Sequence, residues 1–508
     1  MNTFLTIENA SAAPLASLPV VSAAEFRDTM KQALCQDGMR VASFFAMPEE
    51  NGDHRLTAVL CGETNNLLHL LSFRAGRRYP ALTPDLPQFH WFEREIAEQY
   101  GIIPEGHPWL KPIRFHRTLD NAPDAWGRTG APVIGVTDYF RMQGTAAHEV
   151  AVGPVHAGVI EPGHFRFQCM GEDVYSLEIE LGYQHRGIEK MLIGGPDRKT
   201  QHFMETAAGD SSIASATTYA RIMEALSGST VPERAHAIRA LALELERIAN
   251  HTGDCGALAG DVAFLPTASY CGRIRGEYLN MTAELCGNRF GRNLVIPGGV
   301  RFDVTPAMAE KLLAWMDRIR PELFNALDLF FDTPSVLDRF ENTGTVSRED
   351  ARNIGLVGVA GRASGLELDT RRSLPDGGWK LRPLPPAEPA AARNGDVLSR
   401  AAVRYQEIRS SERYVRDWLT ALPDGSCYEA PAEELAKDSI AVAVTEAWRG
   451  ELCHTAVTGK DGRFRRYKIV DPSFHNWFGL ALALRGQQIS DFPICNKSFN
   501  LSYCGHDL

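Results

Sequence analysis

Apolar residues follow different spacings along this chain. In the first part, the short apolar runs HRLTAVLCG and LLHLLSF are typical of strands, and WFEREIAEQYGI has the spacing of a helix. From about residue 185 the spacing becomes helical, and FRFQCMGEDVYSLEIELGY just before it alternates like a hairpin. The pattern predicts an α+β N-terminal domain followed by a mostly helical body with peripheral β hairpins.

Two helices in the body are predicted in more detail. PERAHAIRALALELERIANH begins with Pro232, which suits a first turn, and Gly253 is expected to end the helix. The stretch ETAAGDSSIASATTYA, residues 205–220, begins another helix that Asp210 or Ser211 is expected to cap. Small residues fill this stretch where an active site would carry reactive side chains.

The length of 508 residues is too great for one hydrophobic core. We predict a first unit over residues 1–117, a linker over 118–150 that is rich in helix and strand breakers, and a large unit over 151–508. A stretch with five prolines, residues 373–395, is predicted to be a surface loop of the large unit.

Composition narrows the function classes. A formal charge of -10 argues against nucleic acid as a partner, and no run of about 18 uncharged apolar residues predicts a membrane span. The first residues lack a basic segment, so we expect no signal peptide and a cytoplasmic location. The 10 cysteines form no Cys-x-x-Cys pair, which predicts reduced thiols and argues against an iron–sulfur cluster held by this chain alone.

Several polar clusters are candidates for chemistry. LGYQHRGIEKML places His185, Arg186 and Glu189 close together, either as a solvated helix start with an Arg186–Glu189 pair or as a proton-relaying glutamate held by an arginine. TEAWRGELCH holds Arg449, Glu451 and His454, for which a polar strand face is the alternative. GRFRRYKIVDPSF is expected to be such a face as well.

Taken in order, the motifs resemble one superfamily. It comprises the large subunit of membrane-bound, energy-converting nickel–iron hydrogenases and the quinone-side large subunit of respiratory complex I, and the formate hydrogenlyase type is the most similar. YPALTPDLPQFHWFEREIAEQYGIIPEGHPWLKPIRFH resembles a fused domain like the small hydrophilic subunit of complex I. The body resembles the large subunit through the following motifs: LGYQHRGIEKML, LELERIANHTGDCGALAGD, GNRFGRNLVIPGGVRFD, GRASGLELDTRR, TEAWRGELCH and YKIVDPSF.

The resemblance implies that a nickel–iron centre is missing. The family holds nickel and iron with four cysteines in two Cys-x-x-Cys pairs. The matching positions here are Ala208 and Ser211 in the early pair, and Ser502 and Gly505 in the late pair. Alanine and glycine have no side-chain donor, and a hydroxyl is a poor ligand for a soft metal site. We therefore expect no nickel–iron centre and no metal ligands at these positions.

On the complex I side of the superfamily, the same cavity holds a quinone headgroup. By resemblance, His156 matches the histidine that contacts the quinone. Asp261 is the first choice for the aspartate that holds this histidine, and Asp254 the second. The family's tyrosine falls near Gly209 and is missing, although Tyr503 or Tyr219 could replace it.

The resemblance also implies roles for the remaining clusters. His156, Asp261, Glu189 and Arg186 are expected to be catalytic, and His185, Arg449, Glu451 and His454 to line a cofactor cavity. The expected protein is a peripheral subunit at the cytoplasmic face of a membrane complex. It would pass electrons from an iron–sulfur subunit to a quinone-like acceptor, with proton movement in multi-span membrane partners. The alternatives are a degenerate, non-catalytic coupling subunit and a working hydrogenase.

Overall fold

The computed structural model of the chain describes residues 3–49, 51–62, 66–128, 130, 132–156, 160–384 and 393–508. The elements of the first part are β1 (Leu5–Glu8), β2 (Ser11–Pro14), β3 (Val20–Val21), α1 (Ala23–Cys35), β4 (Arg40–Pro48), β5 (His54–Cys61), β6 (Leu67–Ala75), β7 (Arg78–Pro80), α2 (His90–Tyr100) and β8 (Ile103–Glu105).

The elements of the body follow in chain order. They are β9 (Ala147–Val152), β10 (His164–Met170), β11 (Asp173–Glu180), α3 (Ile188–Leu192), α4 (Thr200–Glu205), α5 (Ser212–Ser227), α6 (Glu233–Asp261), α7 (Leu265–Cys286), β12 (Val295–Ile296), β13 (Gly299–Val300), α8 (Pro306–Phe331), α9 (Pro334–Phe340), α10 (Arg348–Asn353), α11 (Gly358–Ala363), α12 (Thr370–Ser373), α13 (Gly377–Leu381), α14 (Val397–Thr420), β14 (Ser439–Ala447), β15 (Gly450–Thr458), β16 (Phe464–Val470), α15 (Pro472–Ala483), α16 (Phe492–Phe499) and α17 (Tyr503–Asp507). The predicted fold class is confirmed.

The first sheet has the strand order β1-β6-β5-β4, with β3 parallel to β6. Helix α1 packs on it through Phe26, whose ring lies 4.7 Å from that of Phe73. Helix α2 is buried along its whole length, and its Phe92 ring lies 5.0 Å from Phe474 of α15. The polar residues of α2 are therefore held between the first part of the chain and the body.

The body contains a sheet of order β16-β15-β14-β2, and β14 and β15 are buried at every position. Strand β2 comes from the first part of the chain, with Pro14 opposite Ser439. A hydrophobic core runs from residues of the first sheet to α15 and α16. The two parts therefore share sheet and core, and the boundary at residue 117 stays a prediction.

Two local predictions differ from the structure. Helix α6 continues past Gly253 to Asp261, and the absence of a side chain at Gly253 makes room for Arg275 of α7, which lies 2.7 Å from where a Cβ would be. The predicted loop 373–395 contains α13, whose Trp379 ring is 4.5 Å from that of Tyr414. Residues 385–392 of this loop lie outside the described residues.

Candidate functional site

Two segments far apart in the sequence meet in the body, residues 206–211 before α5 and residues 500–505 at the start of α17. The guanidinium of Arg186 bridges them by donating to three carbonyl oxygens: Thr206 at 2.6 Å, Ala207 at 2.8 Å and Cys504 at 2.9 Å. The structure thus brings together the segments that carry Ala208, Ser211, Ser502 and Gly505.

Arg449 forms a second bridge between these segments. Its Nη1 and Nη2 donate to the two carboxylate oxygens of Asp210 at 2.6 and 2.8 Å, and its Nε donates to the Asn500 carbonyl at 2.6 Å. The guanidinium carbon lies 3.9 Å from the centroid of the Trp448 ring. Burial raises the pKa of Asp210, but the charge of Arg449 outweighs burial and holds this pKa below its usual value.

The N-terminus of α5 is capped from another helix. Ser211 makes no capping hydrogen bond and Asp210 pairs with Arg449, so the expected cap is wrong. Instead, the Glu246 carboxylate of α6 accepts hydrogen bonds from the backbone N–H groups of Ile213 at 2.8 Å and Ala214 at 3.3 Å. Burial raises the pKa of Glu246 to about 8, although both hydrogen bonds oppose that shift.

The loop between β9 and β10 carries His156 to these segments. The Nε2 of His156 donates to the Gly163 carbonyl at 2.9 Å. A Cβ at Gly163 would lie 2.5 Å from the Tyr503 ring, so the loop approaches this ring closely. In the same loop, the Glu161 carboxylate accepts from the backbone N–H of Tyr503 at 3.1 Å. Of the two tyrosines named from the sequence, Tyr503 is the one beside the His156 loop, and Tyr219 is buried in α5.

Cys504 lies between the loop and the early segment. Its thiol is 3.4 Å from the Ser502 hydroxyl and close to Glu161 and the backbone of Gly209. Burial raises the pKa of this thiol to about 11, and the Glu161 charge adds to the shift. A Cβ built on Gly209 would meet no heavy atom within 4 Å, so open space adjoins the thiol.

The two candidate aspartates lie in α6 and have different surroundings. Asp261 ends α6 and is exposed. Asp254, about two turns earlier in the same helix, is buried, pairs with Arg404 at 2.7 Å and accepts from the Asn500 Nδ2 at 2.5 Å. Among the residues that the structure describes, no hydrogen bond joins His156 to either aspartate. Asp254 is thus the one connected to the late segment, and the assignment of Asp261 stays a prediction.

Glu189 lies in a buried cluster of charges. Its carboxylate accepts from Arg466 Nη1 at 2.9 Å, from Lys468 Nζ at 2.9 Å and from the Ile469 backbone at 3.1 Å. Lys468 also donates to Glu95 of α2 at 2.6 Å. Burial raises the pKa of Glu189, but Lys468 and then Arg466 outweigh it and hold this pKa well below the usual range.

This cluster corrects two expectations. The predicted Arg186–Glu189 pair is wrong, because Arg186 donates to backbone carbonyls and Arg466 holds the glutamate. The predicted polar strand face around residues 463–468 is also wrong at Arg466 and Lys468, which are fully buried.

His185 lines a cavity that is separate from the bridged segments. Its Nδ1 donates to the Asp507 carbonyl at 2.8 Å, and its ring stacks on His116 with 4.6 Å between centroids. Burial, together with His116, lowers the pKa of His185 to about 4. Both rings line a cavity of about 180 Å³ between the first part and the body, together with Gln99, Arg114, Arg117, Leu119, Gly187, Glu189, Lys190 and Leu508.

Arg449, Glu451 and His454 have different partners, and their expected role in lining a cofactor cavity stays a prediction. Glu451 and His454 differ by an odd number of residues, so they point to opposite faces of β15. Glu451 pairs with Arg40 of β4, and His454 Nδ1 is 3.0 Å from the Tyr467 hydroxyl. Burial raises the pKa of Glu451 and lowers that of His454 to about 3. Only Arg449 of the three reaches the bridged segments.

Comparison with known families agrees with this architecture. Residues 261–441 match the respiratory-chain NADH dehydrogenase 49 kDa subunit, and residues 20–130 match the 30 kDa subunit. Formate hydrogenlyase subunit 5 of Escherichia coli (strain K12) is 30% identical over 440 residues, which cover 84% of this chain and 76% of that protein. The chain belongs to the hydrogenase and complex I large-subunit family.

Other relatives come from both the hydrogenase branch and the complex I branch of the family. The carbon monoxide-induced hydrogenase of Rhodospirillum rubrum is 31% identical over 356 residues, 70% of this chain and 98% of that protein. The C/D component of the NADH-quinone oxidoreductase of Bdellovibrio bacteriovorus is 26% identical over 450 residues, 81% of this chain and 80% of that protein. This large subunit is thus an oxidoreductase family member with the fused 30 kDa-like part.

The residues present in this large subunit do not fit a thiolate-bound metal centre. Ser502 Oγ accepts from the Gly505 N–H at 2.9 Å and caps α17. A side chain at Gly505 would meet the Asp471 carboxylate, 2.6 Å from its Oδ2. Among the described residues, no three His, Cys, Asp or Glu side chains are grouped to hold a metal ion. None of the described helices of this large subunit has the length and hydropathy to cross a bilayer.

Sequence reasoning missed several residues of the site. Glu246, Glu161 and Asp471 complete the bridged segments, and Glu95 completes the Glu189 cluster. Asp471 lies in the motif YKIVDPSF, so the sequence could have pointed to it as a candidate site residue. Glu246 and Glu95 also lie in quoted motifs, but their contacts could not be predicted because their partners lie on other elements.

Proposed function

We propose that this large subunit passes electrons from an iron–sulfur partner subunit to a quinone-like acceptor, without a nickel–iron centre. The observation that carries the proposal is the meeting of the His156 loop with Tyr503 and Cys504, beside the open space at Gly209. A histidine and a tyrosine beside open space suit a quinone headgroup, which needs hydrogen-bond donors at its carbonyl oxygens.

The proposed absence of nickel and iron rests on donor chemistry. Ala208 and Gly505 offer no ligand atom, and the Ser502 hydroxyl is used as a helix cap. Cys504 supplies a single thiol, whose raised pKa disfavours the thiolate that a metal needs.

Arg186 and Glu189 have separate roles in this proposal. Arg186 makes its hydrogen bonds to carbonyls and is exposed, so its positive charge is available to stabilise electron density on a reduced acceptor. Glu189 stays ionised because two cations hold it, so it serves as a fixed charge in this proposal. A proton relay through Glu189 stays a prediction.

We place the subunit at the cytoplasmic face of a membrane complex, with multi-span partners that move protons. One relative is named as the membrane-bound hydrogenase subunit alpha of Pyrococcus furiosus. The second candidate is a coupling subunit without redox chemistry, which the two arginine bridges between the segments that carry Ala208 and Gly505 favour.

The test uses the purified complex. Its clusters are photoreduced, and their reoxidation by decylubiquinone is followed by stopped-flow absorbance. We expect reoxidation to slow by about tenfold or more in His156→Ala, since a positioned proton donor contributes factors of this order or greater. His148→Ala is the control, because His148 is exposed on the neighbouring β9.

Equal reoxidation rates in His156→Ala and the unmodified complex would favour the coupling subunit. Nickel in a stoichiometric amount, measured by mass spectrometry of the purified complex, would overturn the proposal and indicate a working hydrogenase.

A further inference from the structure

The segments that metal-bound cysteines would join are joined here by two arginines. Arg186 donates to Thr206 and Ala207 on one side and to Cys504 on the other. Arg449 binds Asp210 on one side and the Asn500 carbonyl on the other. Both guanidiniums therefore span the same gap, each with bonds to both segments.

The carbonyl groups at these points need donors. Thr206 and Ala207 directly follow α4, where the last carbonyls of a helix lack partners within the helix and attract a cation. Arg186 satisfies them with one planar group, and its remaining bond reaches Cys504 in α17. A guanidinium suits this task because its donors have a fixed fork geometry.

Arg449 provides the stronger link. Its bidentate pair with Asp210 is a charge-assisted contact, and Arg449 is 7% exposed. The Asp210 carbonyl in turn accepts from Trp448 Nε1 and Asn250 Nδ2, both at 3.0 Å. Asp210 is thus held through its side-chain and its backbone oxygens. Arg449, which binds Asp210 and the Asn500 carbonyl, therefore fixes the late segment relative to the early segment.

We propose that Arg186 and Arg449 hold the early segment, residues 206–211, and the late segment, residues 500–505, in a fixed relative position. They are positioning residues that hold α17, and with it Tyr503 and Cys504, against the early segment and the His156 loop. The proposal stands on these contacts alone and does not depend on which acceptor the subunit uses.

Hydrogen–deuterium exchange on the purified complex tests it. In Arg449→Gln and in Arg186→Gln, the amides of residues 206–211 and 501–508 should exchange about tenfold faster or more, as expected when charge-assisted hydrogen bonds that hold a segment are lost. Arg449→Lys keeps the charge but not the bidentate geometry, and it should lie between Arg449→Gln and the unmodified complex.

Arg463→Gln is the matched control. Arg463 also donates to two carbonyls, those of Gly194 and Pro196, but on another part of the body. This variant should leave exchange at residues 501–508 unchanged.

A second measurement uses the thiol of Cys504. Its rate of labelling by a maleimide, followed by peptide mass spectrometry, should rise in both glutamine variants and not in the control. Because Arg186 is exposed, Arg186→Gln remains testable even if Arg449→Gln fails to fold. Unchanged exchange and unchanged labelling in Arg186→Gln would overturn the proposal.

Discussion

Gly505 shows at the scale of one residue how tightly the late segment packs against α15. Its Cα faces the Asp471 carboxylate, which also caps α15 by accepting from the Ser473 N–H at 2.8 Å. Because that carboxylate is held in place, a cysteine at position 505 would need Asp471 to move. The packing at position 505 therefore disfavours a cysteine side chain there.

Gly505→Ala should destabilise the protein by about 1–3 kcal/mol, because the added methyl group overpacks a filled position. Gly209→Ala is the matched control, since a Cβ there meets no atom within 4 Å. It should change the free energy of unfolding by about 0.5 kcal/mol or less. Urea unfolding of both variants measures the difference, and equal stability would contradict the packing around Asp471.

The same residue shows what could be predicted from sequence. The match of positions 208, 211, 502 and 505 to the family's cysteines comes from motif resemblance alone and stays a prediction. The contact with Asp471 could not be foreseen, because it depends on how α15 and α17 pack.

At the scale of elements, α5 and α6 depend on each other. Glu246 lies in the middle of α6, where a sequence pattern reads it as one more polar residue of an amphipathic helix. In the structure it accepts from the first N–H groups of α5, which would otherwise lack partners. Local spacing predicts that both helices exist, but a cap supplied by another helix leaves no local signal.

Glu246→Ala should cost about 1–3 kcal/mol, because it leaves two buried N–H groups of α5 without an acceptor. Glu233→Ala, at the exposed first turn of α6, serves as the control and should stay within about 0.5 kcal/mol. Chemical denaturation followed by circular dichroism gives both values. A Glu246→Ala variant as stable as the control would show that the contact does not act as a cap.

At the scale of the whole molecule, buried charge pairs join the first part of the chain to the body. Glu95 binds Lys468, Arg40 binds Glu451 and Lys111 binds Glu178 at 3.1 Å. The sequence predicted the two parts and their order, since each carries its own motifs. It did not predict these pairs. Lys468 and Glu451 lie in strands with polar residues on both faces, and the sequence alone does not show that both faces are buried.

We expect the shared charges to make the two parts one folding unit, and Lys468 tests this. Lys468→Met removes a buried cation that binds Glu95 from the first part and Glu189 from the body. We expect a loss of about 3–5 kcal/mol in the free energy of unfolding, because two buried carboxylates lose their common partner.

Lys311→Met is the control, since Lys311 pairs with Glu284 at the surface and such pairs contribute about 0–1 kcal/mol. The loss should appear as one cooperative urea transition at lower concentration, seen alike by fluorescence and circular dichroism. Two separate transitions, or a loss no larger than the control's, would mean that the first part and the body fold independently and that the cluster around Glu189 does not join them.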